Sequence, residues 1–112
     1  MGETVEYIVG EGEFRFKFTW DEEKAKENIE KHGISFEVAC WALLNPVYVA
    51  EEQEEEDGEL RIKLIAFPRS QDYASLLCVV YTDGEDSLRI ITAWKATPTE
   101  RNRYHEKADI AY

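Results

Sequence analysis

Two short β-prone segments carry cations at spacings that suit the handling of an anionic phosphate. In Leu60–Phe67 the residues Leu60, Ile62, Leu64 and Ala66 share one strand face, and Arg61 and Lys63 share the other with Ile65. In the last β-prone segment the same alternation gives Arg89 the parity of Ile91, Ala93 and Lys95, and sets Trp94 with Leu88 and Ile90. A sheet face with several Arg and Lys side chains suits phosphate, because a guanidinium binds it bidentately. Solvated outward positions are the plainer explanation of the same pattern. A second chemical group sits at Lys31-His32-Gly33, where a helix ends. A histidine there interacts favourably with the negative end of the helix dipole and can carry a proton near neutral pH, although a lone His at such a place is more often a capping residue. His105, between Tyr104 and Glu106, reads as a surface residue.

The elements that must position these groups are marked in the sequence. Val5–Val9 and Phe14–Phe18 flank Gly10-Glu11-Gly12, which predicts a hairpin. Asp21 caps a helix with an acidic first turn (Glu22, Glu23) and with Glu22/Lys26 and Glu27/Lys31 at i,i+4 spacing; Gly33 stops it. Ser35 begins a short apolar helix, with Phe36, Ala39, Cys40 and Leu43 at helical spacing, that Asn45-Pro46 closes. Val47–Ala50 reads as a strand and 51–59 as an exposed acidic loop. Leu60–Phe67, Ser75–Thr82 and Leu88–Trp94 form an antiparallel meander. Thr97-Pro98-Thr99-Glu100 joins an N-cap, a first-turn proline and a glutamate at the third helical position, which predicts a helix from about Pro98 to Lys107. The expected fold class is α+β, a small antiparallel sheet with helices packed on one face.

With 112 residues the chain is expected to be a single domain, 1–112, whose residues 1–13 are an acidic extension holding a candidate extra strand. Its formal charge of −11 argues at first against gripping nucleic acid. That excess lies in two segments: four acids in 1–13 and seven in 51–59, neither with any Lys or Arg, leaving 13 acids against 13 bases elsewhere. A hydrophobic fraction of 44 % supports a packed core, which excludes global disorder. The longest apolar runs are too short to span a membrane, and the acidic, alternating start differs from a signal peptide, so the expectation is a cytoplasmic protein. Cys40 and Cys78 lie in apolar stretches without metal-ligand spacing and read as buried thiols. Phosphate-loop, nucleophile-elbow, HExxH and EF-hand patterns do not occur, so neither metal nor cofactor is expected.

The order of motifs is more specific than any one of them. Phe18-Thr19-Trp20-Asp21-Glu22-Glu23-Lys24-Ala25, then Asn28, then Lys31-His32-Gly33-Ile34-Ser35-Phe36-Glu37, resembles the opening signature of the BrnT-like toxins, small bacterial proteins with a RelE-type ribonuclease fold. Asn45-Pro46, Arg61 with Leu64-Ile65, Val79-Val80-Tyr81-Thr82, Arg89-Ile90-Ile91-Thr92-Ala93, and Lys95-Ala96-Thr97 with Glu100-Arg101 and Tyr104 resemble successive later parts of the family pattern. The resemblance spans about residues 14–105, within a toxin-like domain drawn at 14–108.

It implies an endoribonuclease toxin of a type II toxin–antitoxin pair, held inactive by a ribbon-helix-helix antitoxin through which alone it would meet DNA. Metal-free RNA cleavage needs a base for the 2′-hydroxyl proton, cations around the phosphate and an acid for the leaving 5′-oxygen. The resemblance assigns acid/base work to His32 helped by Lys31, and the phosphate clamp to Arg61 and Arg89. Glu37 is a weaker base candidate. RNA contacts fall to Lys63, Lys95, Trp94 and Arg69. One position departs from the pattern: Trp94 stands where the family usually has an arginine before the Lys-Ala leading to the last helix. A tryptophan packs or stacks on a base but does not clamp phosphate. Two other readings stay open: a toxin-fold protein with impaired catalysis that acts as a binding and autoregulatory module, and an unrelated α+β scaffold whose sheet binds a small ligand.

Overall fold

The computed structural model describes residues 2–53, 58–69 and 75–110. Its first two strands, β1 (Thr4–Val9) and β2 (Phe16–Asp21), form the expected antiparallel hairpin, so the acidic N-terminal segment does supply a strand. Gly10 lies in the turn at φ 92°, where a Cβ would collide with the Phe14 carbonyl oxygen. The helix α1 (Glu22–His32) begins where the Asp21 carboxylate accepts from the backbone N–H groups of Glu23 and Lys24, and ends at Gly33, left-handed at φ 70°. Ser35 caps α2 (Phe36–Leu43) through an Oγ that accepts from Val38 N–H at 3.2 Å. The strands β3 (Val49–Glu52), β4 (Arg61–Ala66), β5 (Leu77–Asp83) and β6 (Leu88–Lys95) follow, then α3 (Pro98–Ile110). Thr97 and Glu100 form the capping box that the sequence announces, each side chain accepting from the other's backbone N–H.

The α+β class is as expected, with two differences of detail. The six strands lie in the order β1-β2-β6-β5-β4-β3, and the β2–β6 pair is parallel, so the sheet is mixed. The helices also divide between its faces. Phe36, Ala39, Cys40 and Ala42 of α2 pack with Leu64, Ala66, Leu77, Val79, Ile90 and Ala93 on one face. Tyr104 of α3 packs with Ile65, Cys78, Val49 and Ala96 on the other. β5 is buried on both sides over most of its length, which is why it reads as a near-continuous apolar run from Leu76 to Tyr81. The acidic segment departs as well: Glu51 and Glu52 belong to β3 and pair with Lys63 and Ile62 of β4, while 54–57 lie outside the described residues. Among the described residues no helix is long and apolar enough to cross a membrane.

β2 pairs with β6 only at Phe18/Leu88 and Thr19/Arg89 before the chain turns into α1. Beyond that point the β6 edge is closed by a side chain. Buried Asn28 of α1 donates to the carbonyls of Ala93 and Ile34, each at 2.9 Å, and its Oδ1 accepts from Ala93 N–H and the Thr92 hydroxyl. One amide thus does for Ala93 what a neighbouring strand would do. Asn28→Ala strands these buried groups and is expected to cost about 2–4 kcal/mol, read as a lower urea midpoint at unchanged slope. Glu30→Ala, exposed on the same helix, is expected to change stability by less than about 0.5 kcal/mol.

Candidate functional site

Three cross-strand rows build the sheet face on the α3 side. Arg61, Thr82 and Arg89 are paired across β4, β5 and β6 in the first; Lys63, Val80 and Thr92 form the second; Ile65, Cys78 and Trp94 form the third. Neighbouring strands are about 4.8 Å apart, so the Cα atoms of Arg61 and Arg89 are separated by roughly 10 Å with Thr82 between them. α3 covers the third row, and Arg61 and Arg89 lie at the other end of the face, both half-buried. The two arginines assigned to a phosphate clamp therefore share a face and a row. Among the described residues Arg89 has no ion-pair partner.

The parity read from sequence along β6 holds only as far as Ile91. The register shifts there: Tyr81 pairs with Ile90, but Val80 pairs with Thr92, so Ile91 is the extra residue of a bulge. Past a bulge every side chain changes face. Ala93 consequently joins Ile90 in the core on the α1–α2 side. Lys95 pairs with Leu77 and lies on that side too, which corrects its grouping with Arg89. Trp94 moves the other way, off the Leu88/Ile90 side and onto the Arg89 face.

Lys63 is the second correction. Instead of an outward cation it is a buried one, with Nζ 2.9 Å from Glu100 Oε2 and 3.3 Å from Glu51 Oε1. Arg103 of α3 closes the cluster, with Nη2 donating to Glu51 Oε1 at 3.0 Å. Glu100 also accepts from Trp94 Nε1 at 3.0 Å and from Thr97 N–H. Burial by itself raises the Glu100 pKa, but the bonds from Thr97, Lys63, Trp94 and Cys78 outweigh it and hold the carboxyl at about 2. The same balance lowers Glu51: burial works against it, and Arg103 and Lys63 prevail. Burial, with Glu100 alongside, pushes the Cys78 thiol up to about 12, so this free cysteine stays protonated and unreactive. Lys63 is thus spent on fastening α3 and β3 to the sheet and has no charge to offer a ligand.

His32 ends α1 and approaches this face round the β6 edge. Its ring centroid lies 6.5 Å from that of Trp94, tilted by 48°. Lys31 and His32 also line a cavity of about 230 Å³ with Lys24, Asn28 and Thr92. The structure therefore brings His32, Lys31, Trp94, Arg61 and Arg89 to one side of the sheet and its adjoining edge. Arg69 is elsewhere: its N–H donates to the Trp41 carbonyl at 3.0 Å, and it lines a cleft with Val9, Phe14, Phe16 and Leu44 beside the β1–β2 turn. Glu37 is exposed in the first turn of α2, the position of a dipole partner. Thr82 and Lys24 were not singled out by sequence reasoning. Thr82 could have been found from its strand register between two arginines, and Lys24 from its helical spacing to Lys31.

A small mixed sheet carrying a row of arginines, with a histidine delivered to its edge by a helix terminus, is an α+β scaffold suited to an anionic polymer. The chain belongs to the BrnT family, described as the ribonuclease toxin, BrnT, of type II toxin-antitoxin systems, whose sequence profile matches residues 20–100. Membership implies RNA as the target and an antitoxin as the partner. No curated protein matches the chain. The matched range includes α1, α2, β3 to β6 and the start of α3 as far as Glu100, and so holds every residue of the three cross-strand rows, while Arg103 and Tyr104 of α3 lie outside it.

Proposed function

We propose that this chain cleaves RNA without a metal ion, in the manner of RelE-type toxins, and is silenced by a ribbon-helix-helix antitoxin that supplies all contact with operator DNA. It works in the cytoplasm. The observation that carries the reading is that Arg61 and Arg89 share one row of a sheet face on which Trp94, two rows along, has the His32 ring beside it. A phosphodiester held across the arginine row has its negative oxygens facing two guanidinium forks, which stabilise the charge that grows as the 2′-oxygen attacks phosphorus. The 2′-hydroxyl loses its proton as the new P–O bond forms. The bond from phosphorus to the 5′-oxygen then breaks, and that oxygen takes up a proton. His32 takes the 2′-hydroxyl proton on its imidazole and returns it to the leaving 5′-oxygen, with Lys31 beside it adding positive charge near that oxygen. Trp94 offers a flat surface on which a base next to the scissile phosphate stacks.

The test is the chemistry of the cut ends. Purified protein incubated with RNA in excess chelator is expected to leave 2′,3′-cyclic phosphate and 5′-hydroxyl termini. Ends bearing 5′-phosphate, or cleavage abolished by chelator, would refute the mechanism. A second reading has its own support: with Trp94 at the usual arginine position and Lys63 neutralised, two cations are missing from the face. On that reading the protein is a catalytically impaired module that pairs with its antitoxin and regulates its operon, and RNA stays intact at high protein concentration.

A further inference from the structure

The cavity between α1 and the β6 edge has a use beyond carrying Lys31 and His32. Its polar floor is already satisfied, because Asn28 and Thr92 are bonded to each other and to Ala93. What remains for a ligand are the Lys24 and Lys31 amines and the His32 imidazole, opposed by one carboxylate, Glu27. All four are exposed, and among the described residues neither lysine is held in an ion pair. In a chain of net charge −11 this is a pocket whose walls are net positive. Lys24 and His32 are eight residues apart on α1, about 12 Å along the helix axis. An anion at Lys24 is therefore a different group from one being cut beside His32.

Resting on the ribonuclease reading, we propose that this cavity is a second phosphodiester subsite, in which Lys24 holds an RNA backbone phosphate flanking the scissile one, while Glu27 limits its affinity and Lys31 stays with His32. The subsite sets the path of the strand along α1, from the β6 edge towards the arginine row. Ammonium groups act there as adaptable point charges, which suits a phosphate held for position and not for reaction.

The experiment measures binding of a 2′-O-methyl oligoribonucleotide, which the protein cannot cleave, by fluorescence anisotropy across a salt series with the full chain. Lys24→Ala is expected to weaken binding about 3- to 10-fold at low salt and to reduce the slope of log K against log salt by about 0.7, one phosphate contact on a single strand. Glu27→Gln is expected to tighten binding by a similar factor. Lys26→Ala, the same charge change on another face of α1 where Lys26 meets Glu22 at 3.8 Å, is expected to alter it less than about twofold. Equal weakening by Lys24→Ala and Lys26→Ala would overturn the subsite and leave the ribonuclease reading standing. If the wild type fails to bind the oligonucleotide at low salt, both fall. The expected binding pattern with no cleavage of ordinary RNA would keep the subsite and sink catalysis. Displacement of the oligonucleotide by a glutamate-rich peptide of equal charge as readily as by RNA would assign the pocket to an acidic protein segment and overturn the proposal.

Discussion

Replacing Arg89 by alanine is expected to slow RNA cleavage by about two to three decades, the usual consequence of removing one donor from a site that works by stabilising developing charge. Arg89 stands in the row with Thr82 and Arg61, and among the described residues no carboxylate neutralises it. Its whole charge is available to a phosphate. The loss should fall mainly on kcat, because the phosphate oxygens carry more charge in the transition state than in bound RNA. Arg89→Lys keeps the charge but loses the planar fork, and is expected to recover only part of the rate. Single-turnover cleavage with saturating protein isolates this step from binding. A variant that retains the wild-type rate, or one whose entire defect lies in KM, would remove Arg89 from the clamp.

Glu100→Ala is expected to destabilise the protein by about 3–5 kcal/mol, because it leaves Lys63 buried without its closest partner. Trp94 Nε1 and Thr97 N–H lose their acceptor in the same step. For a domain of this size that corresponds to a fall in Tm on the order of 15 °C. Glu106→Ala, exposed on the same helix, is expected to stay within about 0.5 kcal/mol. The linkage with pH has a definite sign. The folded Glu100 carboxyl titrates near 2 and an unfolded one near 4.3, so its contribution is complete above about pH 4.5 and is lost as pH falls towards 2. The full shift is worth roughly 3 kcal/mol. Glu51, also lowered, loses stability in the same direction. The pKa of Lys63 is raised, since its bonds to Glu100 and Glu51 outweigh the cost of burial, and its contribution is lost only as pH rises beyond about 10.5. Glu100→Gln should flatten the acid limb between pH 4.5 and 2. An unchanged acid limb, or a Glu100→Ala variant within about 1 kcal/mol of wild type, would show that the cluster does not fasten α3.

The elements were legible because their signals are local. Asp21, Ser35 and the Thr97/Glu100 pair are each read from three or four consecutive residues, and each caps the helix it announces. The face of Arg61 and Lys63 was equally readable, since β4 alternates without interruption. Three things were hidden because they depend on residues distant in sequence. A one-residue bulge at Ile91 exchanges Trp94 and Lys95 between faces, and nothing in the composition of β6 marks it. The burial of Lys63 requires Glu100, 37 positions away, and Glu51 from a segment that reads as a solvated acidic run. The side on which α3 packs follows from Tyr104 meeting Ile65 and Cys78, a choice that its own weakly amphipathic sequence leaves open. The net charge of −11 misleads for a related reason. Glu51 serves inside the structure as a partner for Lys63 and Arg103, so part of the acidic excess is internal bookkeeping and not a repulsive surface.

The most direct measurement is the rate of RNA cleavage by the wild type and by His32→Ala, side by side in excess chelator. His32 lies exposed at the end of α1 with its ring beside Trp94, so its removal is expected to leave the fold intact, as near-identical urea midpoints would verify. The wild type is expected to cleave, and the variant to be slower by about 10²–10⁴-fold, the range for losing a general acid or base. Equal rates for the two proteins, or RNA left intact by the wild type at high protein concentration, would contradict a His32-dependent, metal-free ribonuclease.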